Sequence, residues 1–169
     1  MNAVSSNPSD RVNWQTVLMF ALGFWLSGSL LLDLVVVPSL FATGMMSQPG
    51  FASAGYSIFG LFNRVELLCA ALVLTGVLVL FRRHELPQRH QKGSIALSAV
   101  LIIVAIIYTY IMTPQISSLG LQLNLFEVPG SLSTAMMELH GGYWLLETLK
   151  LVAGATLLRW CYRNSCSLV

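Results

Sequence analysis

The chain has 169 residues, of which 56% are hydrophobic and 9% charged, with a formal net charge of +2. A soluble domain gives about a quarter of its residues to charge, so this composition excludes an ordinary water-borne globule and points to lipid as the main solvent. The lysines and arginines gather in one short loop and near the C-terminus, which speaks for membrane topology and against nucleic-acid binding.

Residues 1–13 read as a polar cytoplasmic tail. The apolar segment that follows, Trp14 to Leu40, is uncharged from Val12 to Leu32. A secretory signal has an apolar core of only about 7–15 residues, so this run reads as a retained anchor. Three more apolar segments follow, Tyr56 to Phe81, Ile95 to Met112 and Leu139 to Leu158. All four segments meet the length of about 20 residues needed to cross roughly 30 Å of hydrocarbon. Their apolar runs are continuous, without the alternation of barrel strands, so backbone satisfaction in lipid requires helices. The sequence therefore predicts an all-α polytopic membrane protein: one domain, 14–160, forming a four-transmembrane-helix bundle, and a short cytoplasmic tail, 161–169.

The loop Arg82 to Lys92, RRHELPQRHQK, holds Arg82, Arg83, Arg89 and Lys92, and Arg159 and Arg163 follow the last apolar segment. The segments Thr43 to Ser57 and Thr113 to Ala135 contain no Lys or Arg. Short cytoplasmic loops retain positive charge, which predicts both termini and the basic loop inside. Trp14 and Trp160 at the inner ends, and Tyr56, Tyr108 and Tyr110 at the outer ends, fit an aromatic belt. In the long outer segment, Ile116, Leu119, Leu123 and Phe126 fall at helical spacing, predicting a short interfacial helix between the third and fourth spans. Gly23 and Ser27, four apart, permit close packing inside the bundle or against a partner.

Ionisable residues inside spans cost about 2.5–3.5 kcal/mol each at the helix centre and usually face the bundle interior. Asp33, Arg64, Glu66, Glu147 and Lys150 are such residues, all in the outer half or near the midplane, and together they predict a buried polar site. His140, Glu147, Lys150 and Gly154 recur at intervals that share one helix face. Arg64 and Glu66, two apart, do not share a face. The expected pairing is Arg64 with Asp33, leaving Glu66 near Lys150 or Glu147. Asp33, Glu66 and Glu147 set against Arg64 and Lys150 leave one carboxylate in surplus for a proton or cation. The competing reading makes these charges interhelical glue.

Met45, Met46, Met112, Met136 and Met137 all lie on the outer side. Thioether, imidazole and carboxylate ligands suit copper and related ions, so Met137, Glu138 and His140 are candidate ligands at the mouth of a metal path. Methionine as apolar filler is the plainer account. No cofactor is otherwise expected. His140 is the single histidine near a span, His84 and His90 being in the basic loop, so a haem with two axial histidines is not expected. No hydrolase or phosphate-binding motif occurs, and a non-enzymatic protein is expected.

The stretches VVVPSLFATG, YSIFGLFNRVE, YIMTPQI and MMELHGGYWLLETLKLVAG together resemble an uncharacterised four-helix integral membrane family. That family is related to eukaryotic transmembrane proteins associated with platinum-drug resistance and is distantly similar to copper-resistance D-type proteins. The Ser/Asn-rich N-tail and compact length resemble cyanobacterial members. The resemblance implies four membrane helices in a bacterial cytoplasmic or thylakoid membrane and a link to metals or drugs, without a substrate. The paired intramembrane histidines or Met-x-x-x-Met face of a copper permease are missing. The functional expectation is transport or handling of an ion or metal through an outward-facing site, in a homodimer or larger membrane complex. The alternative is an accessory or assembly subunit whose buried charges are structural.

Overall fold

The computed structural model describes residues 13–45, 50–86, 88–116, 118 and 134–166, and all regular structure among them is helical. Helix α1, Trp14–Leu31, starts where the Asn13 side chain accepts a hydrogen bond from the Thr16 backbone N–H at 3.3 Å. It runs without a break into a widened π segment, π1, Leu32–Val36, and then into α2, Val37–Ala42. Helix α3, Phe51–Arg82, begins after Gly50, whose φ of +89° suits a residue without Cβ. Helix α4, Gln91–Ile107, leads into a second π segment, π2, Tyr108–Met112, and α-helical backbone resumes at 113–116. Helix α5, Thr134–Cys166, is the longest.

Both π segments stand just before a proline, Pro38 and Pro114. A helical proline lacks the N–H that would bond four residues back, and its ring crowds that carbonyl, here Leu34 or Tyr110. Widening the preceding turn relieves the crowding without breaking the helix.

Helix α1 packs against α3 and α5, and α4 packs against α3 and α5. The shared core is Leu18, Leu22, Val73, Val77, Leu101 and Leu157. Large apolar side chains also face outward, among them Phe20, Phe24, Leu34, Leu61, Leu68 and Leu145. Water would punish so large an apolar exterior, whereas lipid tails match it. The stretches Trp14–Ala42, Ser53–Arg82 and Gln91–Ile116 are each long and apolar enough to cross a membrane. Three such helices fit a multi-pass membrane protein.

The helices outrun the apolar segments: α3 starts at Phe51 rather than Tyr56, α4 at Gln91 rather than Ile95, and α5 at Thr134 rather than Leu139. Hydropathy marks the part of a helix that meets hydrocarbon, whereas its backbone bonds continue until a turn residue stops them. The Thr43 to Ser57 connection is correspondingly shorter than expected. Residues 1–12, 119–133 and 167–169 lie outside the described residues, and with them Leu119, Leu123 and Phe126 of the expected interfacial helix.

Gly154 lets α5 approach α1, since a Cβ there would stand 2.9 Å from Leu26 Cδ2. Among the described residues a Cβ at Gly23 would meet nothing within 4 Å, and Ser27 is exposed, so these two positions are not packed against another described helix. At the end carrying the basic loop, His90 stacks on Trp160 with ring centroids 4.6 Å apart, and Gln15 Nε2 donates to the Cys161 carbonyl at 3.1 Å. Burial pushes the nearby Cys161 thiol up to about 11. Its thiolate thus forms only in strongly alkaline solution. With Cys69 and Cys166 replaced by serine, Cys161 in the folded protein is expected to react with maleimide near neutral pH at least about tenfold more slowly than after unfolding in dodecyl sulfate. Equal rates would contradict the burial.

Candidate functional site

The apolar core gives way to polar side chains where π1, π2 and the middles of α3 and α5 meet. Asp33, Glu66, Glu147 and Lys150 are all at least nine-tenths buried here. Lys150 Nζ lies 2.5 Å from Glu66 Oε1 and 2.8 Å from Glu147 Oε2, bridging α3 and α5. Glu66 Oε1 also accepts from Trp25 Nε1 at 2.9 Å and from Ser29 Oγ at 3.1 Å, both on α1. Three helices therefore meet on one carboxylate oxygen.

The second half of the cluster centres on Glu147. Tyr108 of π2 donates its hydroxyl to Glu147 Oε2 at 3.0 Å and lies 3.2 Å from the Tyr143 carbonyl oxygen. The Lys150 ammonium sits over the Tyr108 ring, 5.3 Å from its centroid, a cation–π contact that helps hold the charge away from water. Tyr143, one turn before Glu147 on α5, donates to Asp33 Oδ1 at 3.2 Å. The Tyr143 and Tyr108 rings, one on Asp33 and the other on Glu147, stand 5.0 Å apart and bring the two carboxyl groups into one neighbourhood. Each π segment thus supplies one member: π1 brings in Asp33 and π2 brings in Tyr108. Widened turns of this kind are frequent where a helix must aim a functional side chain.

The cluster lies between unlike surroundings. Towards the 113–116 end, Asn63 Nδ2 donates to Thr113 Oγ1, and the Thr109 hydroxyl bonds the Ala105 carbonyl at 2.8 Å. Towards the basic loop, Leu22, Ala70, Val73, Leu101 and Leu157 fill the interior. The polar column continues in one direction and meets packed hydrocarbon in the other.

Of the residues expected in the site, Glu66 and Lys150 pair directly, and Glu147 and Asp33 join them. Arg64 is exposed, and among the described residues no ion pair links it to Asp33. That pairing is corrected: the inward position of α3 belongs to Glu66, and Arg64 falls on the outward face, where a long side chain can reach polar surroundings. Met137, Glu138 and His140, the expected metal-path residues, are all exposed at the start of α5. Among the described residues no group of three or more His, Cys, Asp or Glu side chains is placed to hold a metal ion.

Tyr108 is corrected from an aromatic-belt residue to a fully buried one, whereas Tyr56 and Tyr110 are exposed as a belt requires. Trp25, Ser29 and Tyr143 were missed. Trp25 carried a signal: an indole in mid-span must place its N–H on an acceptor when buried.

No family model, no curated protein and no solved structure matches the chain. The class of protein is therefore defined by its own features: an all-helical chain with three helices fit to cross a membrane and a buried cluster of carboxylates around one lysine.

Proposed function

We propose that this chain is a four-span membrane protein that handles an ion through its buried carboxylate cluster. In this reading α5 is the fourth span, and both termini and the basic loop face the cytoplasm. The cluster then lies in the outer half of the membrane and is reached from outside, past Tyr143 and the Asn63–Thr113 pair. A bacterial cytoplasmic or thylakoid membrane suits this topology.

One observation carries the reading. Among the described residues three carboxylates, Asp33, Glu66 and Glu147, are buried beside one buried ammonium, Lys150, which pairs with Glu66 and Glu147 but not with Asp33. Burying unbalanced charge costs several kcal/mol per ion, and a membrane interior offers no water to offset it. Interhelical glue needs a matched pair, as Glu66 and Lys150 already are. The two further carboxylates are surplus to that role and suit a site that takes up and releases positive charge. A span count of four leaves little room for a pathway within one chain, so a homodimer is part of the proposal.

The accessory-subunit alternative draws support from the Glu66–Lys150 bridge, which ties α3 to α5 beneath two donors from α1. Flux measurements separate the two. The protein is reconstituted into vesicles, a pH or cation gradient is imposed, and flux is followed with a trapped dye. Glu147→Gln is expected to lower flux by more than about tenfold, corresponding to at least about 1.4 kcal/mol of lost barrier stabilisation. Wild-type flux no greater than that of empty vesicles, or unchanged flux in Glu147→Gln, would overturn the ion-handling reading.

A further inference from the structure

Two atoms in the cluster are left over. Asp33 Oδ2 and Glu147 Oε1 are buried with no hydrogen-bond partner, although the other oxygen of each carboxyl group is bound. Asp33 Oδ1 accepts from Tyr143, while Glu147 Oε2 accepts from Tyr108 and Lys150. The tyrosines that hold the two carboxyl groups lie ring to ring, Tyr143 on Asp33 and Tyr108 on Glu147, with centroids 5.0 Å apart, which makes the carboxyl groups neighbours. Ionised carboxylates accept but do not donate, so two of them side by side repel and leave both orphan oxygens unsatisfied. A proton held between the two carboxyl groups makes one a donor and the other an acceptor and relieves that repulsion.

We propose that Asp33 and Glu147 form a single-proton site, with the proton shared between Asp33 Oδ2 and Glu147 Oε1. This inference rests on the ion-handling reading and names the ion it exchanges. The groups facing the pair are Glu66 from α3, Lys150 and Tyr143 from α5 and Tyr108 from π2. Lys150 is committed to Glu66 and Glu147 Oε2, and both tyrosine hydroxyls are already donating to the pair's bound oxygens. The proton must therefore come from water on the Tyr143 side. Uptake forms one O–H bond on the pair, breaks one in the hydronium ion that delivers the proton and leaves water behind, and changes the net charge of the three carboxylates and one ammonium from −2 to −1. Two like carboxylates in contact share a proton and titrate as one unit rather than as separate acids. A calcium ion would want six to eight oxygen ligands, against two unpartnered buried side-chain oxygens among the described residues.

The test is infrared spectroscopy of the full chain in lipid vesicles near neutral pH. The wild type is expected to show the carbonyl stretch of a protonated carboxylic acid, shifted in D2O. The band is expected to vanish in Asp33→Asn and in Glu147→Gln, because each amide N–H replaces the proton as donor to the remaining carboxylate. Both variants then fold, and each fixes a state resembling the protonated one.

No such band in the wild type, a band surviving in both variants, or displacement of the band by sodium at constant pH would each overturn the proposal. The wild-type spectrum decides even where a variant fails to fold. Flux in the same vesicles separates the two readings. A band without flux overturns ion handling and leaves the shared proton standing, whereas flux without a band overturns the shared proton.

Discussion

Replacing Lys150 by methionine is expected to destabilise the folded chain by about 3–5 kcal/mol, the cost of leaving buried carboxylates without their counter-charge. Lys150 is the common partner of Glu66 and Glu147, at 2.5 and 2.8 Å, and both carboxylates are about 1% exposed. Methionine fills much of the same volume, so the loss is one of charge rather than packing. The triple variant Lys150→Met/Glu66→Gln/Glu147→Gln removes the stranded charges as well and is expected to recover most of the stability. Trp25, Ser29 and Tyr108 can still donate to the amide oxygens in their places. Equilibrium unfolding in mixed micelles, read by helical circular dichroism, measures both. A single variant within about 1 kcal/mol of wild type would place the pair in the weak, solvated class and contradict the burial.

Gly154→Leu is expected to cost about 1–3 kcal/mol through overpacking, and more where α1 cannot retreat. A Cβ at this position already stands 2.9 Å from Leu26 Cδ2 and 3.5 Å from Leu26 Cγ. Alanine is tolerable, because the end of a leucine side chain can rotate away. A leucine drives its own branched end into the space Leu26 occupies and wedges α5 from α1. Gly154 lies one turn beyond Lys150 on the same face, so the wedge also draws the ammonium away from the Trp25 and Ser29 side of Glu66. Loss of stability together with loss of vesicle flux, with Gly154→Ala near wild type in both, is the expected pattern. Equal behaviour of the alanine and leucine variants would show that α1 and α5 are not in close contact there.

The helical architecture was legible because lipid imposes so strong a demand on backbone bonding that long uncharged runs admit one solution. That Asp33, Glu66, Glu147 and Lys150 turn inward was legible for the same reason: charge inside such a run is too costly to leave facing lipid. Which charge meets which was less legible. Spacing showed that Arg64 and Glu66 face different ways, but not which of the two faces inward. Lys150 and Glu147 share a face as expected, yet His140, on the same stripe, is exposed. Helical phase predicts direction only, and not how deeply a position on that stripe is buried. The tyrosines were hardest to read, since an aromatic ring with a polar tip suits a membrane rim as well as a polar core. Tyr108 and Tyr110, two apart, took one role each.

The widened turns before Pro38 and Pro114 each hold one residue more than an ordinary turn. Because a residue advances about 100° around a helix axis, everything past Val36 and Met112 is rotated relative to the continuation of α1 and α4. A tryptophan scan along either segment should therefore show a phase slip: tolerated positions keep a 3.6-residue rhythm up to the widened turn, skip one place, and then resume it. Deleting a single residue there, such as Val35, would restore an unbroken rhythm and swing the terminal turns to a different azimuth.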